Sequence, residues 1–123
     1  MVDELFAFEK LDIYHLALDF SHKVHKIGQR VRNQNNRNWC DQIERAAISI
    51  VLNIAEGSGR KFPKEKRSFY NISRGSDFEC VPLIELGMRS SYITEEEKND
   101  LRSSTISIAK MLTKLIQSVE KDL

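Results

Sequence analysis

The sequence is poor in the residues that make tight turns, and it has no long apolar run. Five glycines and two prolines among 123 residues are too few for an all-β fold, which needs a turn about every ten residues. No segment reaches the roughly 18 apolar residues of a membrane-spanning helix. The first ten residues carry three acids, whereas a signal peptide has a basic start. We expect one helical domain, residues 1–123, in the cytoplasm.

The sequence also lacks the motifs of catalytic and metal-binding sites. Cys40 and Cys80 lie forty positions apart, so they form no Cys-x-x-Cys motif, and we expect two reduced, buried thiols. Asp19, His22 and His25 share a helical spacing, but a metal site would need ligands from other elements, which the sequence does not identify. No Ser-His-Asp or Cys-His order stands out. We therefore predict no catalytic residue, no metal site and no cofactor.

Basic and acidic residues nearly cancel over the whole chain but not along it. The formal net charge is +1, whereas residues 20–74 hold twelve Lys and Arg against four acids, a balance of +8. The remainder holds seven against fourteen, a balance of −7. Charge separated along the chain can form one basic face in the folded protein. The near-neutral total argues against strong, indiscriminate nucleic-acid binding.

Apolar residues recur at helical spacing in four segments, which predicts an all-α, antiparallel four-helix bundle because the connections are short. The predicted helices run from near Leu11 into the Asn-rich stretch 33–36, from about Trp39 to Glu56, from Pro63 to Gly87 or Arg89, and onward from Thr94. Thr94 and Glu97 form a capping-box pattern, and Pro82 is where the third helix would kink. The fourth helix should bury Leu101, Thr105, Ile108, Met111, Leu112, Leu115 and Val119.

The second helix carries a polar stripe on an otherwise apolar surface. Within an arc of roughly 80° lie Gln42, Arg45, Ser49, Asn53 and Glu56. An ordinary solvated face would explain such a stripe. Glu56, however, meets the negative end of the helix dipole and needs a compensating cation, for which Arg45, Arg60 and Arg74 are candidates.

The apolar surface of this helix is wider than one bundle core requires. One flank suits the core, and it comprises Trp39, Ile43, Ala46, Ala47, Ile50 and Ile54. The other flank comprises Ile48, Val51, Leu52 and Ala55. If exposed, this second flank would be a contact site, so we predict a homo-oligomer built through it. The alternative is that the fourth helix covers both flanks.

Cations cluster between the second and third helices, and we predict that they bind nucleic acid. The predicted binding residues are Arg45, Arg60, Lys61, Lys64, Lys66, Arg67 and Arg74. Lys64, Arg67 and Arg74 share one helix face, which we expect to be exposed, with Tyr70 beside them. Cations at this spacing can follow a phosphate backbone, and an aromatic ring can stack on an unpaired base. The alternative is a solvated face that serves solubility.

The segment from Gln42 to Arg60 resembles the signature of the four-helix-bundle family of 23S rRNA intervening-sequence proteins. Phe8-Glu9-Lys10-Leu11 supports the resemblance, as does Ser73-Arg74-Gly75-Ser76 followed by Glu79. The sequence departs from the family pattern at Glu44, where a basic residue is common, at Phe62-Pro63 and at Pro82. These departures lower the charge of the second helix and change the start and course of the third.

The resemblance implies a helical bundle without known enzymatic activity, and it leaves two functions open. Similar bundles are accessory proteins of diversity-generating retroelements, where they form homopentamers and associate with nucleic acid and a reverse transcriptase. The first function is therefore a nucleic-acid-associated accessory protein. The second is an oligomeric scaffold or protein-interaction module whose basic face meets an acidic protein or only water.

Overall fold

A computed structural model describes residues 6–123 of the chain, and these residues form four long helices and one short one. The 3₁₀ helix Ala7–Lys10 precedes α1 (Asp12–Val31), and it was not predicted from the sequence. The chain continues through α2 (Arg37–Ser58), α3 (Pro63–Arg89) and α4 (Glu95–Glu120). Residues 6–123 contain no strand, so the all-α prediction is confirmed. None of the described helices is long and apolar enough to cross a membrane.

Each helix packs against the next one along the chain, and α1 also touches α4. Side chains tie α2 to α3 at three levels. The indole Nε1 of Trp39 donates to the carbonyl oxygen of Leu83 at 2.7 Å, and Ser73 Oγ donates to that of Ile50 at 2.8 Å. Lys66 Nζ donates to the carbonyl oxygen of Ser58 at 3.0 Å. Along α2 the residue numbers in these bonds increase, while the numbers of their partners on α3 decrease. The three bonds together fix the register of the two helices.

The core is the apolar stripe of each helix, as the helical spacing predicts. On α1 the fully buried side chains include Ala17, Phe20 and Val24, whereas Leu16 lies half-buried against the core. On α4 the buried residues are Leu101, Thr105, Ile108, Leu112, Ile116 and Val119. Ile116 was not predicted to be buried, and it takes the place of Met111 and Leu115, which are half-buried at the edge. Ile116 lies one turn beyond Leu112 and continues the same stripe.

The ends of α4 and α3 follow their sequence signals. The capping box before α4 is present, because Glu97 N donates to Thr94 Oγ1 at 3.0 Å and Thr94 N donates to Glu97 Oε1 at 3.0 Å. Pro63 occupies the first position of α3, where a missing N–H costs nothing. The helix then continues through Pro82 to Arg89. Cys40 and Cys80 are free and buried, as predicted, and burial raises the pKa of the Cys80 thiol.

Candidate nucleic-acid interface

The connection between α2 and α3 and the first turns of α3 hold most of the predicted binding residues. Glu56 and Arg60 form an ion pair with 3.0 Å between Oε2 and Nη2. Arg60 is therefore the cation that compensates Glu56 at the C-terminal end of α2. Its guanidinium carbon also lies 4.7 Å from the centroid of the Phe69 ring. The Arg60 side chain remains partly exposed between these two neighbours.

Lys66 turns back towards α2 and does not face a ligand. Its Nζ donates to the carbonyl oxygen of Ser58 at 3.0 Å and lies 3.4 Å from that of Gly57. The last carbonyls of a helix have no partner within it, so a lysine placed there stabilises the helix end. Lys66 therefore has a structural role at the end of α2, and its ammonium group has fewer donors left for the predicted nucleic-acid contact.

Arg67 and Arg74 point towards α4, where both lie half-buried. Arg67 Nη1 is 3.8 Å from Glu120 Oε2, and Arg74 Nε donates to Thr113 Oγ1 at 3.1 Å. The guanidinium of Arg74 also stacks over Phe78, with 4.6 Å between its carbon and the ring centroid. The expectation that Lys64, Arg67 and Arg74 lie on one exposed face is thus wrong for the two arginines. These arginines join α3 to α4.

Lys61 and Lys64 are the predicted cations near the start of α3 that form no ion pair within the described residues. Both side chains are exposed, and neither forms an ion pair with any of residues 6–123. Phe62 lies between them in the sequence and is 60% exposed, with Lys61 Nζ 5.9 Å from its ring centroid. In the sequence, Phe62 was noted as a departure from a capping pattern and not as a candidate for contact with a ligand. An aromatic residue flanked by lysines was the signal that could have identified it. We call Arg60, Lys61, Phe62 and Lys64 the basic loop.

Tyr70 cannot stack on a base, contrary to the sequence-based expectation. Its side chain is 3% exposed and packs with Ile116 and Val119. Burial raises the pKa of its phenol. Gly57 lies so close that a Cβ added there would be 2.7 Å from Tyr70 Cε1. The helical periodicity predicts that Tyr70 lies beside the cations. In the structure its ring instead fills the space between α2, α3 and α4.

Arg45 is exposed but lies apart from the basic loop. Thirteen positions of α2 separate it from Ser58, the last residue of the helix before the basic loop, which corresponds to roughly 20 Å along the axis. It lines a polar groove of about 460 Å³ with Gln42, Ser49, Ser76 and Glu79. The polar stripe of α2 is more than a solvated face, because Ser76 Oγ donates to Ser49 Oγ at 2.7 Å across the groove.

The four residues predicted to form an oligomer interface differ in their exposure to solvent. Ile48 and Leu52 are 48% and 58% exposed, and Ala55 is half-buried. Val51 is 9% exposed and belongs to the core, which leaves it little surface for the predicted contact with another subunit. Leu18 of α1 is 43% exposed and lines the same surface depression as Ile48. We call Leu18, Ile48 and Leu52 the apolar patch.

His25 of α1 contacts an acid of α2. His25 Nδ1 lies 3.4 Å from Glu44 Oε1, and Glu44 also pairs with Arg32, which binds Asp41 at 2.7 Å. This network occupies Glu44, the acid at which the sequence departs from the family pattern. Within residues 6–123, no three His, Cys, Asp or Glu side chains come together as ligands for a metal ion.

Comparison with known proteins gives the family. The sequence pattern of the 23S rRNA-intervening sequence protein family matches residues 9–114. A crystal structure of a protein of unknown function from the S23 ribosomal protein family of Bacteroides thetaiotaomicron superposes with a TM-score of 0.79. The two chains are 24% identical, and the match covers 85% of this chain and 97% of that one, so it shows a shared fold. No curated protein matches significantly. From the length of the sequence match, the chain belongs to the 23S rRNA-intervening sequence protein family.

Proposed function

We propose that this protein is a non-enzymatic, cytoplasmic accessory protein that contacts RNA or DNA through its basic loop. The observation that carries the proposal is the pair of unpaired, exposed lysines, Lys61 and Lys64, on either side of the exposed Phe62. Lysine ammonium groups neutralise phosphates, and an exposed ring stacks on an unpaired base. Arg60 keeps further donors free beyond its bond to Glu56.

The bonds that cations form within the bundle support a small number of phosphate contacts for each subunit. Lys66, Arg67 and Arg74 are engaged within the bundle, which leaves about two or three free cations at the loop. For a single strand, log K should then fall with log salt with a slope of about −1.4 to −2 per subunit. Such binding is weak for one subunit, so several copies on one nucleic acid would be needed for tight binding.

We further propose that the protein acts as a homo-oligomer of antiparallel bundles. The apolar patch supports self-association, because three large apolar side chains face solvent on neighbouring α1 and α2. The opposite residue order of the α2–α3 contacts supports the antiparallel arrangement. The family resemblance favours a pentamer as the oligomer and a reverse transcriptase as a further partner of this protein. An oligomer would present several basic loops to one nucleic acid.

The alternative function is an oligomeric scaffold that uses the apolar patch and binds no nucleic acid. Purification without nuclease separates the two functions. The accessory-protein proposal predicts co-purifying nucleic acid, seen as a raised ratio of absorbance at 260 nm to that at 280 nm and lost at high salt. Protein that elutes free of nucleic acid, and that leaves a labelled single strand unbound at low salt, would leave only the scaffold function.

A further inference from the structure

Asp77 of α3 is a buried carboxyl group without a hydrogen-bond partner. Its side chain is 1% exposed, and among residues 6–123 its Oδ1 is the one buried side-chain nitrogen or oxygen that lacks a partner. Buried polar groups are almost always hydrogen-bonded, because an unpaired one loses its hydration without replacement. The proposed contact with nucleic acid makes no use of Asp77. The unpaired Oδ1 of Asp77 therefore requires a separate explanation.

The carboxyl group lines a groove between α3 and α4. The groove has a volume of about 380 Å³, which is within the range of small-molecule sites. Its other walls are Phe78, Val81, Pro82, Thr105, Ile106 and Ala109. Phe78 and Ile106 are 49% and 46% exposed, so the groove is open to solvent. Asp77 thus supplies the charged group in an otherwise almost wholly apolar site.

The polar atoms beside this groove accept hydrogen bonds. Pro82 has no N–H, so the carbonyl oxygen of Phe78, four residues earlier in α3, lacks its helical partner. The hydroxyl of Thr105 donates to the carbonyl oxygen of Arg102 at 2.7 Å, which leaves the Thr105 oxygen as an acceptor. Together with the carboxylate of Asp77, these groups form a set of acceptors. A ligand that satisfies them must bring donors.

Arg74 is a charged residue next to the groove, and its positive charge limits the charge that a ligand can carry. It lies one turn before Asp77, donates to Thr113 and stacks over Phe78. Its positive charge opposes the burial effect on Asp77, and the pKa of Asp77 is nevertheless raised to about 7, chiefly by burial. A second positive charge on a ligand would meet Arg74. One cationic group is therefore favoured over two.

We propose that the groove between α3 and α4 binds a small aliphatic primary amine, with its ammonium group on Asp77 and its alkyl chain along Phe78, Val81 and Ile106. An ammonium group has three donors and no acceptor, which matches the acceptor set. The apolar walls fit an alkyl chain, and contact with Asp77 gives a charge-assisted hydrogen bond. The site is independent of the basic loop and of the apolar patch.

Pentylamine is the probe, titrated into the wild-type protein at pH 8 and followed by backbone NMR shifts. We expect saturable binding, with shifts confined to the middle of α3 and α4. Asp77→Asn should weaken the affinity at least tenfold, whereas Asp122→Asn, which removes an exposed carboxylate at the C terminus, should leave it unchanged. The affinity should rise between pH 6 and pH 8, because Asp77 loses its proton in this range. 1-Pentanol, which has the same chain without the charge, should bind at least tenfold more weakly than pentylamine.

A second variant keeps the test decisive if Asp77→Asn fails to fold. Ala109→Met narrows the groove from α4 without touching the carboxyl group, and it should also weaken pentylamine binding. The proposal is overturned if pentylamine shows no saturable binding up to about 50 mM, or if 1-pentanol binds equally well. The proposal is also overturned if either variant, folded Asp77→Asn or Ala109→Met, binds pentylamine with the affinity of the wild type.

Discussion

Lys66 Nζ lies 3.0 Å from the carbonyl oxygen of Ser58, at the end of α2. This bond spans the turn between α2 and α3 and satisfies a helix end that would otherwise depend on water. The basic segment therefore has two parts with different tasks. Lys66, Arg67 and Arg74 bond to neighbouring helices, whereas the basic loop carries the nucleic-acid contact that we propose.

Replacing Lys66 by Met should destabilise the fold, because the carbonyl oxygen of Ser58 loses its bond to Nζ while the apolar part of the side chain is retained. We expect a loss of about 1 kcal/mol in the free energy of unfolding, measured by urea denaturation. Lys64→Met is the matched control, since Lys64 is exposed, and it should change stability by less than about 0.5 kcal/mol. Equal effects of the two substitutions would contradict the capping role of Lys66.

Gly87→Ala and Gly75→Ala should change stability in opposite directions. A Cβ on Gly87 would collide with the indole ring of Trp39, whereas a Cβ on Gly75 meets nothing within 4 Å. Overpacking at Gly87 should cost about 1–3 kcal/mol. Alanine at Gly75, in the interior of α3, should stabilise the helix by about 0.5–1 kcal/mol. Thermal unfolding of both variants checks the pair, and a stable Gly87→Ala protein would show that Trp39 packs elsewhere.

The carboxyl group of Asp77 should make stability depend on pH. Its pKa in the folded protein is about 7, above the value of 3.8 expected for a free aspartate. Its ionisation therefore opposes folding, so its cost is absent below about pH 4, grows as the pH rises to 7 and is constant above. The cost at high pH is on the order of 4 kcal/mol at most. Urea unfolding at pH 5 and pH 8 should show a larger loss for the wild type than for Asp77→Asn. Equal losses would mean that Asp77 finds a partner in the folded protein.

The apolar patch should control self-association. Ile48→Glu with Leu52→Glu places two charges where the proposed interface excludes water, so we expect the oligomer to dissociate while helicity is kept. Ile72→Glu is the control, because Ile72 is 51% exposed on α3 outside the patch. Light scattering at micromolar concentration measures the outcome. A wild-type protein that scatters as a monomer of 14.3 kDa would contradict self-association.

Periodicity and local motifs were sufficient to predict the four long helices, with the ends of α2 two residues away from the predicted ones, but not the 3₁₀ helix Ala7–Lys10. The capping box of Thr94 and Glu97 depends on residues three apart, and such short-range signals are contained in the sequence. The ion pair of Glu56 and Arg60 is also local, because four positions on a helix form one turn. The sequence left Arg45 and Arg74 open as alternatives, and the geometry of the turn after α2 selects Arg60.

The rotation of each helix about its axis was not available from the sequence. Tyr70 lies one turn from both Arg67 and Arg74 on α3, yet Tyr70 is buried in the core and the two arginines are half-buried against α4. Val51 and Leu52 are neighbours on α2, and one is buried while the other is exposed. Which flank of an apolar helix is covered depends on the neighbouring helices. For the same reason the burial of Asp77 could not be predicted, because it results from the packing of α3 against α4.

The most direct test of the proposed function reverses the two free lysines of the basic loop. Lys61→Glu with Lys64→Glu should weaken binding of a labelled single-stranded RNA by at least tenfold in fluorescence anisotropy, and should flatten the salt dependence of log K by about 1.4 per subunit. Lys26→Glu on α1 with Arg37→Glu at the first residue of α2 makes the same charge change on exposed residues outside the basic loop, and should leave affinity and slope unchanged. Equal weakening by both variants, or none by either, would contradict nucleic-acid binding by the basic loop.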